Sequence, residues 1–111
     1  MNGNASKATA EEIARELQNL GPVSVTRFFA ASGLSLDGVQ FGFVMKGALY
    51  LRVDEASRGR YAAFGCQPFS YETRERRVTV AGYYQAPAEA MDEPTVLREW
   101  VTQAHFCGRP S

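Results

Sequence analysis

The sequence predicts an α+β domain in which helices cover an antiparallel sheet. Three observations carry that prediction. Apolar residues alternate with polar ones on either side of glycine-bearing turns in the middle of the chain. Two stripes of helical spacing lie towards the ends. The connections between neighbouring strand segments are too short for the crossovers that parallel strands require.

Order is expected to begin at Thr9, after a flexible tail over residues 1–8, and to continue as one domain over residues 9–108. Thr9-Ala10-Glu11-Glu12 has the pattern of a capping box, and Ile13, Leu17 and Leu20 follow on one helical face until Gly21-Pro22 ends the helix. Val23 and Val25 then alternate with Ser24 and Thr26 as a strand does, but Arg27 takes the next inward slot. A bulge, an edge position or an arginine used for something other than packing would each account for it.

Asp37-Gly38 and Lys46-Gly47 predict hairpin turns, because glycine supplies the positive φ that tight turns need. Val39, Phe41, Phe43 and Met45 share one parity, and Leu49, Leu51 and Val53 repeat it, so one buried face is expected. Asp54-Glu55 opens a short helix that Gly65 stops, with Tyr61 and Phe64 on its inner side and Arg58 and Arg60 on its polar one. Phe69 and Tyr71 begin a second hairpin, which turns through residues 73–76 into Val78-Thr79-Val80-Ala81. Pro87 ends it, Asp92-Glu93-Pro94 starts a last helix, and Leu97, Trp100, Val101 and Ala104 form its stripe. The expected order is helix, three strands, helix, two strands, helix.

A chain of 111 residues has room for one core. At 45% hydrophobic and 22% charged residues it is too apolar for disorder and too charged for a membrane span. Twelve basic and twelve acidic side chains cancel, leaving no long-range field to draw in nucleic acid or anionic lipid. Residues 1–10 have no apolar run of the signal-peptide kind, so a cytoplasmic address without membrane attachment is expected.

No catalytic set is legible. The lone histidine, His105, falls in the last turn of the final helix, where a cation is favoured by the dipole. The pairs Glu11-Glu12 and Asp54-Glu55 sit at helix starts, which explains them without acid or base work. Gly33, Gly38, Gly42 and Gly47 lack phosphate-loop spacing. Cys66 and Cys107 stand apart without CxxC spacing, so neither a metal nor any other cofactor is expected. The local charge feature is Arg74, Arg76 and Arg77, which with Arg52, Arg58, Arg60 and nearby aromatics has the make-up of a single-strand nucleic-acid surface. Glu72 and Glu75 interrupt it, so nucleic acid is not the expected partner. Arg27, the inward-reading arginine beside Phe28, is the candidate polar anchor of a small-molecule pocket or enzyme site.

The segments Leu20-Gly21-Pro22-Val23, Arg27-Phe28-Phe29, residues 33–42, residues 49–54, Gln67-Pro68-Phe69-Ser70-Tyr71, Tyr83-Tyr84-Gln85-Ala86-Pro87 and Leu97-Arg98-Glu99-Trp100, in that order, resemble the N-terminal domain of the TfoX family of bacterial competence regulators. Phe28-Phe29-Ala30-Ala31 departs from the family pattern, which usually has methionine, phenylalanine and a glycine pair there. The resemblance implies a fold similar to that of type III secretion chaperones, ordered α-β-β-β-α-β-β-α, and no set of catalytic or metal-binding residues. It implies a stand-alone domain, not an enzyme, whose work is to bind another protein, with a transcriptional regulator among the candidates. A homodimer is also expected, through a sheet edge near Arg27.

Overall fold

A computed structural model describes residues 2–28 and 31–108. Helix α1 (Asn2–Glu16) and a 3-10 turn (Gln18–Leu20) lead into four strands, β1 (Val23–Phe28), β2 (Ala31–Leu36), β3 (Val39–Met45) and β4 (Ala48–Arg52). Helix α2 (Glu55–Ala63), strands β5 (Pro68–Glu72) and β6 (Arg77–Gln85), a short α3 (Ala88–Asp92) and α4 (Pro94–Gly108) follow. The strands form one antiparallel sheet in the order β1-β2-β3-β4-β6-β5. No described helix is long and apolar enough to cross a membrane.

The α+β architecture agrees with the sequence, with four differences. The helix starts at Asn2, so residues 2–8 belong to α1 and the Thr9 capping pattern lies inside it, among the helix-favouring Lys7, Ala8 and Ala10. A fourth strand, β2, precedes α2. Its Ser32 and Gly33 are both buried, so Ala31–Leu36 shows no polar alternation to read. A five-residue helix, α3, fills the connection ahead of α4. Lastly, β3 changes phase. Leu34 pairs with Gly42 but Ser35 pairs with Gln40, which leaves Phe41 as the extra residue of a bulge. Phe41 and Val44 therefore face the helices, while Phe43 turns to the opposite side of the sheet. Gly42 is what permits the bulge, because a Cβ there would overlap the Tyr50 carbonyl oxygen. Phe29 and Ala30, in the departure from the family pattern, lie outside the described residues.

The turns and caps form as their residues require. Asp37 and Gly38 have φ of 52° and 78°, and Lys46 and Gly47 have 52° and 80°, the double positive φ of type I′ hairpins. Asp54 caps α2 by accepting from the Ser57 amide at 2.8 Å, and the Ser57 hydroxyl accepts from the Asp54 amide at 3.0 Å. At the other end Gly65 takes φ of 76°. Its amide reaches the Ala62 carbonyl at 2.9 Å and the Cys66 amide the Tyr61 carbonyl at 3.0 Å, a Schellman closure.

All the long helical stripes pack on one face of the sheet. Ala10 and Ile13 of α1, Leu17 just after it, and Leu97, Trp100, Val101 and Ala104 of α4 are buried with Leu34, Phe41, Val44, Leu49 and Leu51. Tyr61 from α2 completes this core, its ring 4.7 Å from that of Trp100. Near the end of α4, His105 Nε2 lies 2.8 Å from the Leu36 carbonyl, and a carbonyl only accepts, so this nitrogen carries the proton. None of the described helices lies on the other face of the sheet.

Candidate functional site

The open face is where the sequence's aromatic residues collect. Tyr50 of β4 and Tyr83 of β6 occupy it by strand alternation, since Leu51 and Tyr84 next to them point into the core. Phe43 joins them through the β3 bulge. The ring of Phe43 stacks on Tyr50 at 5.2 Å, meets Tyr83 edge-on at 5.1 Å and meets Phe69 edge-on at 5.0 Å.

The last of these distances fixes the shape of the site. Three inter-strand steps separate β3 from β5 in the sheet order, and at about 4.8 Å per step a flat sheet would hold these rings about 14 Å apart. The sheet must therefore curl. The hinge is in β6, where Pro68 pairs with Tyr84 but Phe69 pairs with Val80, leaving Ala81, Gly82 and Tyr83 without β5 partners. Tyr83 instead pairs with Arg52, and the Gly82 carbonyl accepts the Val53 amide at 2.9 Å. Thus the end of β6 belongs to β4, and its beginning carries β5 as an arm folded over the open face. Edge-to-face and offset ring pairs, each contributing about 0.5–1.5 kcal/mol beyond area burial, hold the arm down.

Between the arm and the face lies a cleft of about 660 Å³, almost wholly apolar. Phe43 and Met45 form one wall, and Phe69, Tyr71, Val80 and Tyr83 the other. Tyr71 keeps 46% of its surface exposed at the rim. A second hollow of about 640 Å³ continues the cleft past Met45, Phe69 and Tyr71 to Lys46, Glu72 and Arg77. Outside the lining, the Arg52 guanidinium lies 5.8 Å from the Tyr83 ring and donates to the Gln40 carbonyl at 3.3 Å.

The arginines singled out in the sequence are not brought together. Arg27 is exposed on β1, the strand at the far edge of the sheet from β5, so it anchors no pocket between sheet and helices. Arg74, Arg76 and Arg77 are all exposed at the end of the β5–β6 arm, alongside Glu72 and Glu75. Only Arg77 faces the cleft system, with its Nε donating to the Ser70 hydroxyl at 3.1 Å. Arg60 is held against α4, 4.1 Å over the Trp100 ring and bonded to Gln103. Arg52 is held by the Gln40 carbonyl and the Tyr83 ring, beside Gly108 at the end of α4.

The groups on the helix side offer little reactive chemistry. Burial pushes the Cys66 and Cys107 thiols up, opposite to the shift that makes a thiol nucleophilic. The Ser57 hydroxyl lies 3.6 Å from the Cys107 sulfur, but Ser57 is already committed to capping α2. Among the described residues no cluster of three or more side chains of metal-ligating type occurs.

The TfoX N-terminal domain family model matches residues 15–106. The chain belongs to the TfoX N-terminal domain family. The matched span runs from the end of α1 to the last turns of α4, so in this TfoX-type domain the open face, the folded arm and the cleft all lie within the family's boundaries. No curated protein matches the chain.

Sequence reasoning missed the cleft. Its signal was the Tyr83-Tyr84 doublet, which cannot bury both rings on one side of a strand, together with aromatics on both strands of the second hairpin.

Proposed function

We infer that this domain is a non-enzymatic protein-interaction module that docks a partner in the cleft on the open face of its sheet, in the service of a regulatory process. One observation carries the reading: an apolar, aromatic-walled cleft whose rim leaves Tyr71 46% exposed, on a sheet whose helices all lie on the other side. Soluble domains seldom leave contiguous apolar surface open without a binding role. Aromatic side chains supply contact area at low entropic cost, which is why they dominate the centres of interfaces. Membership of a family named for regulators of competence supports the regulatory half of the reading.

The test is a comparative pull-down from the native host with three baits. A partner recovered by the parent domain should be lost with Tyr71→Asp and retained with Arg27→Glu. Equal recovery by the parent and Tyr71→Asp baits would place the interaction elsewhere, and a partner lost only with Arg27→Glu would move it to the β1 edge.

A further inference from the structure

The β5–β6 arm that covers the cleft is built as a unit of its own. From Phe69 and Val80 out to Glu72 and Arg77 its two strands pair with each other. Thr73 closes the tip, its amide and hydroxyl donating to the Arg76 carbonyl at 2.8 and 3.0 Å. Pairing with the rest of the sheet begins only below the arm, where Tyr83 pairs with Arg52 and Tyr84 with Leu51.

Both strands of the arm change partner at one level. On the β5 side Pro68 still pairs with Tyr84 while Phe69 pairs with Val80, and on the β6 side the Val53 amide anchors the Gly82 carbonyl at 2.9 Å. The torsions nearest that anchor on the arm's side are those of Gly82 itself. Gly82 is not among the glycines of positive φ, and a Cβ built on it would meet no atom within 4 Å, so neither backbone nor space asks for glycine in this arrangement. Glycine inside a strand is destabilising relative to alanine, so a second arrangement that does use it accounts for its place. The apolar side of the arm is likewise left unfinished. Tyr71 and Val80 face Phe43 and Met45 across the cleft of about 660 Å³, and apolar walls held apart by water gain by meeting.

We propose that the arm is a hinged strap that swings about Gly82 between the arrangement described above and a closed one, in which Gly82 takes a positive φ and Tyr71 and Val80 seat on the Phe43–Met45 wall. Phe69 lies at the base of the arm, beside Pro68, and its ring contacts with Phe43 and Tyr50 at 5.0 Å are the bearing on which the arm turns. The strap controls admission to the cleft, a role that rests on the docking reading above. Closed, it buries Tyr71. Open, it presents the aromatic walls, and a partner that binds only the open state shifts the balance by its differential affinity.

The test is double electron–electron resonance on the whole domain, with nitroxides attached through p-acetylphenylalanine at Thr79 on the arm and at Ser24 on β1, so that Cys66 and Cys107 stay untouched. Both positions are exposed and outside the cleft lining. The parent should give two distances, the shorter one from the closed strap. Gly82→Ala fits the open arrangement and should cut the shorter-distance population about ten-fold, because an L side chain disfavours positive φ. Gly82→Asn, whose side chain tolerates that region, should keep most of it. Circular dichroism checks the fold of both variants. A single distance in the parent overturns the inference. So do populations that neither substitution changes, or that both reduce equally. A rigid arm removes this inference alone, because the measurement is made with nothing in the cleft. The docking reading falls separately, when Tyr71→Asp leaves partner recovery unchanged.

Discussion

Tyr61 is the residue whose chemistry is least comfortable. It is fully buried beneath Trp100 and Tyr84, and its hydroxyl has no hydrogen-bond partner among the described residues. A buried orphan hydroxyl costs stability, and burial, with smaller contributions from the nearby Cys107 and Cys66 thiols, raises its pKa well above the ordinary 10.0. The expected outcome of Tyr61→Phe is therefore a domain more stable by about 1 kcal/mol in urea unfolding at pH 7. The pH dependence follows from the sign of the shift. A phenol whose folded pKa is raised contributes fully below its unfolded pKa and loses that contribution as pH rises through the folded value. Stability of the parent should fall as pH rises above about 10, and Tyr61→Phe should remove this part of the fall. A marked loss of stability at pH 7 in that variant would show that the hydroxyl is paired. The opposite shift at Asp54, whose carboxyl is held below its usual range by the Ser57 amide and then the Ser57 hydroxyl, makes the α2 cap an acid-sensitive feature, lost as pH falls below 3.8.

At the scale of elements, most of what the sequence foretold rests on local chemistry. Two-residue turns at Asp37-Gly38 and Lys46-Gly47, the Asp54 cap and the Gly65 stop are decided by side chains within a few positions, so they are legible without the fold. The β3 bulge was not. Phe43 has the parity of Phe41 in the sequence, and only the approach of Gly42 to the Tyr50 carbonyl shows why the phase slips between them. The arm was also illegible, because its curl depends on three β6 residues, Ala81, Gly82 and Tyr83, that are skipped in the pairing with β5. Phe69 is the element's main fastening, in ring contact with Phe43 and Tyr50 at 5.0 Å each. Replacing it with alanine should loosen the arm without unfolding the domain. Amide exchange in β5 and over residues 77–80 should quicken while β3 and α4 keep their protection. Uniform quickening throughout would show that the arm is an integral part of the core.

For the whole molecule, the important asymmetry is that every long helix lies on one side of the sheet. A domain of this size has one core, and here that core takes both terminal stripes. The remaining aromatics are left on the other side, where the curl of the sheet gathers them into a cleft. Arg27 and the clustered arginines drew notice in the sequence because charge in an apolar register is conspicuous. Apolar residues on a strand read as core whichever face they take, so the cleft gave no comparable signal.

The most direct test of that account is site-specific photo-cross-linking in the native host, with benzoylphenylalanine placed in turn at Tyr71 on the cleft rim and at Thr102 on the exposed side of α4. The account predicts a discrete cross-linked protein from position 71 and none from position 102. Cross-linking from position 102 alone would contradict it, since the partner would then sit on the helices and the open face would have no part in binding.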